Sequence, residues 1–224
     1  MGISIFIIFV VLSIGLSQIL KSKFTKYSEV KLHADLSGAE IVAKMLRDHG
    51  IEDVQITSSS RKLGDHYNPL SKTVNLSEEV YYGKNATAAA IAAHECGHAV
   101  QHANGYAFLK FRTAMVPVLS ATSHYISWVI LVGIFVVNST PLPLAIGIGF
   151  FALATLFSFV TLPVEFDASR RALDWMNDRG IVTSQEYKVA QDALWWAAMT
   201  YVVAAVGSLA QLIHLISILT GRRD

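Results

Sequence analysis

Residues 113–164 read TAMVPVLSATSHYISWVILVGIFVVNSTPLPLAIGIGFFALATLFSFVTLPV and carry no formal charge. A stretch of that length suits two helical crossings of a hydrocarbon core about 30 Å thick. The segment NSTPLP, from Asn138 to Pro143, interrupts it with two prolines and small polar residues, which favour a tight hairpin. The stretch therefore predicts two membrane-spanning helices joined by a short turn.

Two further segments without charge, residues 2–20 and 193–221, are each long enough for a membrane crossing. The first lacks the basic start and the A-x-A-like cleavage site of a signal peptide, so we expect a permanent anchor. Trp195 and Trp196 stand near the start of the second, where interfacial aromatic residues are expected. The alternative is that some of these helices are buried in a soluble protein, which their length disfavours.

The composition agrees with a membrane protein, because the 224 residues are 53% hydrophobic and only 16% charged. The predicted fold class is mainly α: a multi-pass α-helical membrane protein with about four crossings and a small α+β part. We divide the chain into a membrane anchor helix (1–20), a polar α+β segment (21–112), a transmembrane hairpin (113–164), a polar helical segment (165–192) and a transmembrane helix (193–221).

The basic residues predict how the chain lies across a membrane. The hairpin turn has none, whereas the two polar segments contain Lys21, Lys23, Lys26, Lys31, Arg170, Arg171 and Arg179. By the positive-inside rule, both polar segments face the cytoplasm and the amino terminus lies outside. The tail with Arg222 and Arg223 would then also lie outside, which disagrees with the same rule.

Charge and cysteine content exclude two classes of function. The formal net charge is +1, whereas a nucleic-acid-binding surface needs a clear excess of Lys and Arg. A single cysteine, Cys96, excludes an intrachain disulfide framework and a cysteine-rich zinc cluster. A metal site in this chain therefore has to use histidine and carboxylate ligands.

The first polar segment shows signals for a small folded unit. SGAE, from Ser37 to Glu40, is a capping box that begins a helix. Apolar residues alternate with polar ones at two places, as in short strands: Val54 and Ile56, and Val74 and Leu76. The segment GDHYNP (64–69) between them is typical of a turn. We expect a helix and a hairpin ahead of the next helix.

That next helix carries the residues AHECGH at positions 93–98. The residues from 86 to 103 favour a helix, with Asn85 or Thr87 as its cap and Gly105 just past its end. His94 and His98 are four residues apart, so their imidazoles lie about 5–6 Å apart on one face. Together with Glu95 they form the H-E-x-x-H pattern of zinc-dependent proteases, which predicts a zincin-like α+β part.

Glu165 is the candidate for the third ligand, because a carboxylate at the edge of a hydrocarbon region is costly unless it is paired or bound to a cation. The hairpin returns the chain to the membrane side on which the motif helix ends. Asp167 lies about 200° further around a helix and should point away, whereas Ser169 shares the Glu165 face. The alternative is that Glu165 pairs with Arg170 or Arg171.

Four other residues are candidates for weaker roles. Cys96 lies about 200° from His94 on the helix and is expected to be a packed small residue. His102 could support a ligand from behind, and we prefer this to its being a ligand. His66 and Tyr67 could reach the cleft and stabilise a transition-state oxygen, although a loop histidine is more often simply solvated.

The motifs AAHECGHAVQHA, DHYNP, VNLSEEVY and PVEFDASRRAL resemble those of the neutral zinc metallopeptidase family of bacterial membranes, the YugP-type proteins. The resemblance covers most of the chain and implies a multi-pass protein of the bacterial plasma membrane with a zinc endopeptidase centre. The sequence is more distantly similar to the HtpX and prenyl-protein endopeptidase group, in which a Glu after a later membrane helix completes the site. That group has Asp four residues after the Glu, where this chain has Ser169.

These residues predict a membrane-embedded zinc metalloendopeptidase. One Zn²⁺ held by His94, His98 and Glu165 leaves a fourth position for water, with Glu95 as the general base. The expected partners are a peptide or membrane-protein substrate and the lipid bilayer, with no nucleic acid. The alternatives are a non-catalytic membrane scaffold clipped by zinc, which would have no use for Glu95, and a hydrolase of a non-peptide amide.

Overall fold

The computed structural model describes residues 2–60 and 64–221; Arg222 and Arg223 therefore lie outside the described residues. The helices are α1 (Gly2–Tyr27), α2 (Gly38–Asp48), α3 (Glu78–Tyr81), α4 (Ala86–Ala103), α5 (Ala107–Val136), α6 (Leu142–Asp178) and α7 (Ser184–Leu219). The strands are β1 (Gln55–Ser59), β2 (His66–Asn68) and β3 (Thr73–Ser77).

Four of the helices are long and apolar enough to cross a membrane: residues Phe6–Tyr27 of α1, and the whole of α5, α6 and α7. The predicted class, a mainly α multi-pass protein with a small α+β part, is confirmed. The break at Asn138 is also confirmed, although Pro143 already lies in the first turn of α6. The boundaries of the five sequence segments stay predictions.

The chain divides into two compact units. The membrane unit comprises Met1–Gly15, Lys110–Leu162 and Thr200–Asp224, and the site unit comprises Leu16–Leu109 and Pro163–Met199. Within the membrane unit, α5 and α6 approach closely at Gly133, where a Cβ atom would lie 2.6 Å from the backbone nitrogen of Leu144. Glycine is therefore required for this hairpin packing.

The site unit is built around α4, whose alanines are almost all buried. Small side chains let neighbouring helices approach closely, and the apolar side chains of α2, Ile41, Val42 and Met45, are fully buried in the same core. Each such side chain contributes roughly 1.5–3 kcal/mol when buried. The predicted caps are present: Ser37 and Glu40 form the capping box of α2, and the Asn85 side chain accepts the Ala88 N–H at the start of α4.

The sheet differs from the predicted hairpin. Its strand order is β1-β3-β2, with β1 parallel to β3 and β2 antiparallel to β3 at the edge. The prediction that GDHYNP (64–69) is a turn is wrong, because its residues 66–68 form β2. The reversal comes later, where the Asn68 side chain accepts the N–H groups of Leu70 and Ser71. Turn-forming residues here flank a short edge strand instead of replacing it.

Candidate metal centre

Three predicted ligands meet within the site unit. His94 and His98 extend from one face of α4, and Glu165 extends from the part of α6 that packs against it. The Glu165 Oε2 atom lies 3.3 Å from His94 Nε2 and 3.7 Å from His98 Nε2. One ligand atom from each of the three residues lies within 4.8 Å of the others.

Gly97 allows α4 and α6 to come this close. A Cβ atom at position 97 would lie 2.6 Å from the carbonyl oxygen of Ala168, well inside van der Waals contact. The glycine between the two histidines therefore brings the backbone of α6 against α4 at the level of the cluster. Glu165 is three residues before Ala168, so it lies on the same face of α6.

The donor set fits a zinc ion. Two donors that each lie about 2.0–2.2 Å from a tetrahedral zinc are roughly 3.3–3.6 Å apart. The two measured distances to Glu165 Oε2 are 3.3 and 3.7 Å. Two imidazoles and one carboxylate are also the ligand types of catalytic zinc sites, and Glu165 and His98 are buried, with 3% and 7% of their surfaces exposed.

A hydroxyl stands behind the first histidine. The Nδ1 atom of His94 lies 3.0 Å from the Oγ atom of Ser169, on the side of the ring away from Glu165. A serine hydroxyl can donate or accept, so this contact orients the ring without fixing which nitrogen carries the hydrogen. The serine expected near the ligand therefore contacts His94.

An amide and a carboxylate stand behind the second histidine. The Oε1 atom of Gln101 lies 3.1 Å from His98 Nδ1, and its Nε2 atom donates to Asp167 Oδ2 at 2.9 Å. The expectation that Asp167 points away is wrong, because its carboxylate faces this glutamine of α4. Asp167 also accepts hydrogen bonds from Arg170 at 2.6 Å and Arg171 at 2.5 Å.

Glu95 lies on another face of α4, beside the edge strand. Its Oε2 atom accepts the backbone N–H of Tyr67 at 3.0 Å, and Glu95 itself is half-buried. The Tyr67 hydroxyl lies 2.7 Å from His102 Nδ1, so both residues line the wall beside Glu95. Burial raises the pKa of Tyr67 to about 12, which keeps this hydroxyl protonated at neutral pH.

The remaining candidates, His66 and Cys96, contact residues outside the cluster. His66 is exposed, and its ring nitrogens contact the Gly64 carbonyl and the Asn75 side chain. Cys96 is fully buried against α2, with its Sγ atom 3.9 Å from the Val42 carbonyl oxygen. Burial raises the pKa of the Cys96 thiol, which agrees with its expected packing role.

Sequence reasoning missed Gln101, Asp167 and the Tyr67 N–H. Gln101 could have been found, because it follows His98 by three residues and therefore shares the helix face of the two histidines. Asp167 depends on how α6 packs, and no pattern in the sequence shows that packing. The Tyr67 contact comes from the backbone, so the identity of the residue gives no signal.

Comparison with known proteins identifies the family. The family model described as "Putative neutral zinc metallopeptidase" matches residues 2–220. The chain is 37% identical over 205 residues to "Putative membrane protease YugP" of Bacillus subtilis (strain 168), covering 92% of this chain and 90% of that protein. No solved structure matches the chain. The chain therefore belongs to this zinc metallopeptidase family.

Proposed function

We propose that this member of the family is a zinc endopeptidase that cleaves peptide bonds in polypeptide or membrane-protein substrates. His94, His98 and Glu165 would hold one zinc ion. The observation that carries the proposal is the meeting of these three donors at zinc-compatible spacing, with His98 and Glu165 buried and His94 half-buried, beside a carboxylate that is not one of them.

Zinc in such a site supplies Lewis-acid polarisation of a carbonyl and makes water more acidic. Glu95 takes a proton from the attacking water and delivers it to the leaving amine. The Tyr67 N–H orients this carboxylate by donating to Oε2, so one carboxylate oxygen is held and the other is left to face the reaction. Tyr67 and His102 form the wall on the same side, where the substrate carbonyl oxygen would need a donor.

The decisive experiment is the Glu95→Gln variant. Glutamine keeps the shape and the helix propensity of the side chain, so zinc content should equal that of the wild type. Cleavage of fluorescein-labelled casein should fall by about 10²- to 10⁴-fold, since that is the usual contribution of general acid–base catalysis. Undiminished cleavage with zinc bound would remove Glu95 from the mechanism.

The same preparation separates an enzyme from a scaffold. A scaffold clipped by zinc would contain one equivalent of zinc in both proteins and would cleave neither casein nor membrane-embedded substrates. A small-molecule amide panel tests the third candidate, the hydrolysis of a non-peptide amide. Cleavage of casein by the wild type, lost in Glu95→Gln, supports the peptidase and excludes the scaffold.

We also propose that the protein lies in the bacterial plasma membrane with its catalytic side in the cytoplasm. The support is the clustering of Lys and Arg in residues 21–112 and 165–192. Single cysteines introduced at Ser59 and Ser139 test this, because the native Cys96 is buried. In intact cells an impermeant thiol reagent should label position 139 and not position 59; the opposite pattern would reverse the topology.

A further inference from the structure

We infer that Gln101 is a positioning residue that presents two of the three zinc ligands: it fixes the ring of His98 and it anchors the α6 backbone beside Glu165. The inference rests on the proposed zinc binding and does not depend on which substrate is cleaved. Gln101 is completely buried, and its side chain joins α4 to α6 through two hydrogen bonds.

The direction of every hydrogen bond in this group follows from its partners. The Gln101 Nε2 atom donates to two acceptors, the Val164 carbonyl oxygen at 2.8 Å and Asp167 Oδ2 at 2.9 Å. Both of its hydrogens are then used, and neither partner, a carbonyl oxygen or a carboxylate oxygen, could donate a hydrogen bond to the amide oxygen. The amide oxygen must therefore face His98.

This orientation determines the tautomer of His98. An amide oxygen only accepts, so His98 Nδ1, 3.1 Å away, must carry the hydrogen. In the neutral ring Nε2 then has a free lone pair, and it faces Glu165 Oε2 at 3.7 Å. A histidine that binds a metal through Nε2 needs this arrangement, in which Nδ1–H donates to a neighbouring acceptor.

The second effect of Gln101 concerns the third ligand. Val164, whose carbonyl accepts from Gln101, immediately precedes Glu165 in α6. The same amide therefore holds the backbone next to Glu165 against α4. Asp167 keeps the amide in place because Arg170 and Arg171 also donate to its carboxylate and hold it.

His94 has a less restrictive partner than His98. The partner of His94 is the Ser169 hydroxyl, which rotates and can either donate or accept. It can adapt to either tautomer of His94, whereas the Gln101 amide permits only one tautomer of His98. Gln101 should therefore matter more for zinc affinity than Ser169.

The test compares Gln101→Met with Gln101→Glu in the full-length protein, using zinc affinity from competition with a chromogenic chelator. Methionine has a similar size and suits a buried position, but it has no oxygen for His98 Nδ1. Glutamate keeps that oxygen but introduces an acid into the core. We expect Gln101→Met to weaken zinc binding by about 10- to 100-fold, and Gln101→Glu to weaken it clearly less.

A packing role alone predicts the reverse order, because methionine would then be tolerated better than a buried acid. Zinc affinity of Gln101→Met equal to the wild type, or weaker binding in Gln101→Glu than in Gln101→Met, overturns the inference. Circular dichroism of the zinc-free proteins establishes that each variant is folded. If a Gln101 variant does not fold, Asp167→Leu replaces it: leucine has a similar size but no acceptor for the Gln101 amide, and we expect a 3- to 10-fold loss of zinc affinity where a packing role predicts none.

The outcomes separate this inference from the proposed function. A wild type that binds no zinc overturns both. A wild type that binds zinc and cleaves nothing rejects the peptidase and leaves the role of Gln101 standing. Active wild type with unchanged affinity in Gln101→Met rejects only the role of Gln101.

Discussion

The two sides of α4 are built differently. On the side facing α6, buried side chains stand behind both histidines: Ser169 contacts His94, and Gln101, which donates to Asp167, contacts His98. On the side facing the edge strand, Glu95 is half-buried, and its hydrogen bond comes from one backbone N–H of a three-residue strand. We name these the ligand side and the base side.

The difference matches the two tasks that we propose. Ligands must be held rigidly, because donors displaced by a few tenths of an ångström no longer match the spacing of a zinc site. A general base must reach both an incoming water and a leaving group, and an open, lightly held carboxylate allows this. Changes on the ligand side should therefore alter zinc affinity, and changes on the base side should alter turnover alone.

The largest expected effect is the loss of a ligand. Glu165→Ala should lower zinc affinity by more than about 100-fold, which exceeds the usual effect of changing a residue behind a ligand. Zinc content after dialysis against a weak chelator measures it. Full zinc occupancy in this variant would remove Glu165 from the ligand set. His66→Ala serves as a control, since that ring is exposed and contacts the Gly64 carbonyl oxygen, and its loss should leave zinc content unchanged.

The next largest effect is expected for Gly97→Ala, which moves α4 and α6 apart without changing a ligand. The added methyl group of Gly97→Ala would meet the Ala168 carbonyl oxygen at 2.6 Å, so the helices must move apart at the cluster. We expect a loss of about 1–3 kcal/mol in stability and a fall in zinc affinity of at least about 10-fold. Gly149→Ala is the matched control, because its Cβ atom would enter open space within a helix. Equal behaviour of the two variants would contradict the close approach at Gly97.

The base side is tested by proline at position 67. The Tyr67 N–H points to Glu95, so Tyr67→Pro removes that hydrogen bond, and an edge strand tolerates proline where its N–H faces away from the sheet. Tyr67→Ala is the control, because it loses the same ring and hydroxyl but keeps the N–H. We expect casein cleavage about 10-fold slower in Tyr67→Pro than in Tyr67→Ala, since a hydrogen bond to a charged group contributes about 1.5–3 kcal/mol. Zinc affinity should be the same in both, and a difference there would show that the two sides are coupled.

The sequence alone predicted the parts of this comparison that depend on spacing along one element. Helical periodicity placed His94 and His98 on one face of α4. The predicted hairpin returned the chain to the membrane side on which that helix ends, which placed Glu165 near them. The partners behind the ligands depend on which face of α6 meets α4, and that is decided at Gly97, where the sequence shows only a small residue in a helix. The turn composition of residues 64–69 concealed the edge strand, because pairing with β3 outweighed the local preference.

The smallest expected effect concerns the two histidines within the ligand side. Ser169→Ala removes the hydroxyl 3.0 Å behind His94 and leaves a methyl group of nearly the same size. A neutral hydrogen bond contributes about 0.5–1.5 kcal/mol, so zinc affinity should fall by about 2- to 10-fold, less than for Gln101→Met. Ser169→Asp places a carboxylate behind His94, and a carboxylate only accepts from His94 Nδ1, so zinc should bind at least as tightly as in the wild type. A loss of affinity in Ser169→Ala as large as that in Gln101→Met would mean that a hydroxyl and an amide hold their histidines equally well. It would contradict the larger role that we assign to Gln101.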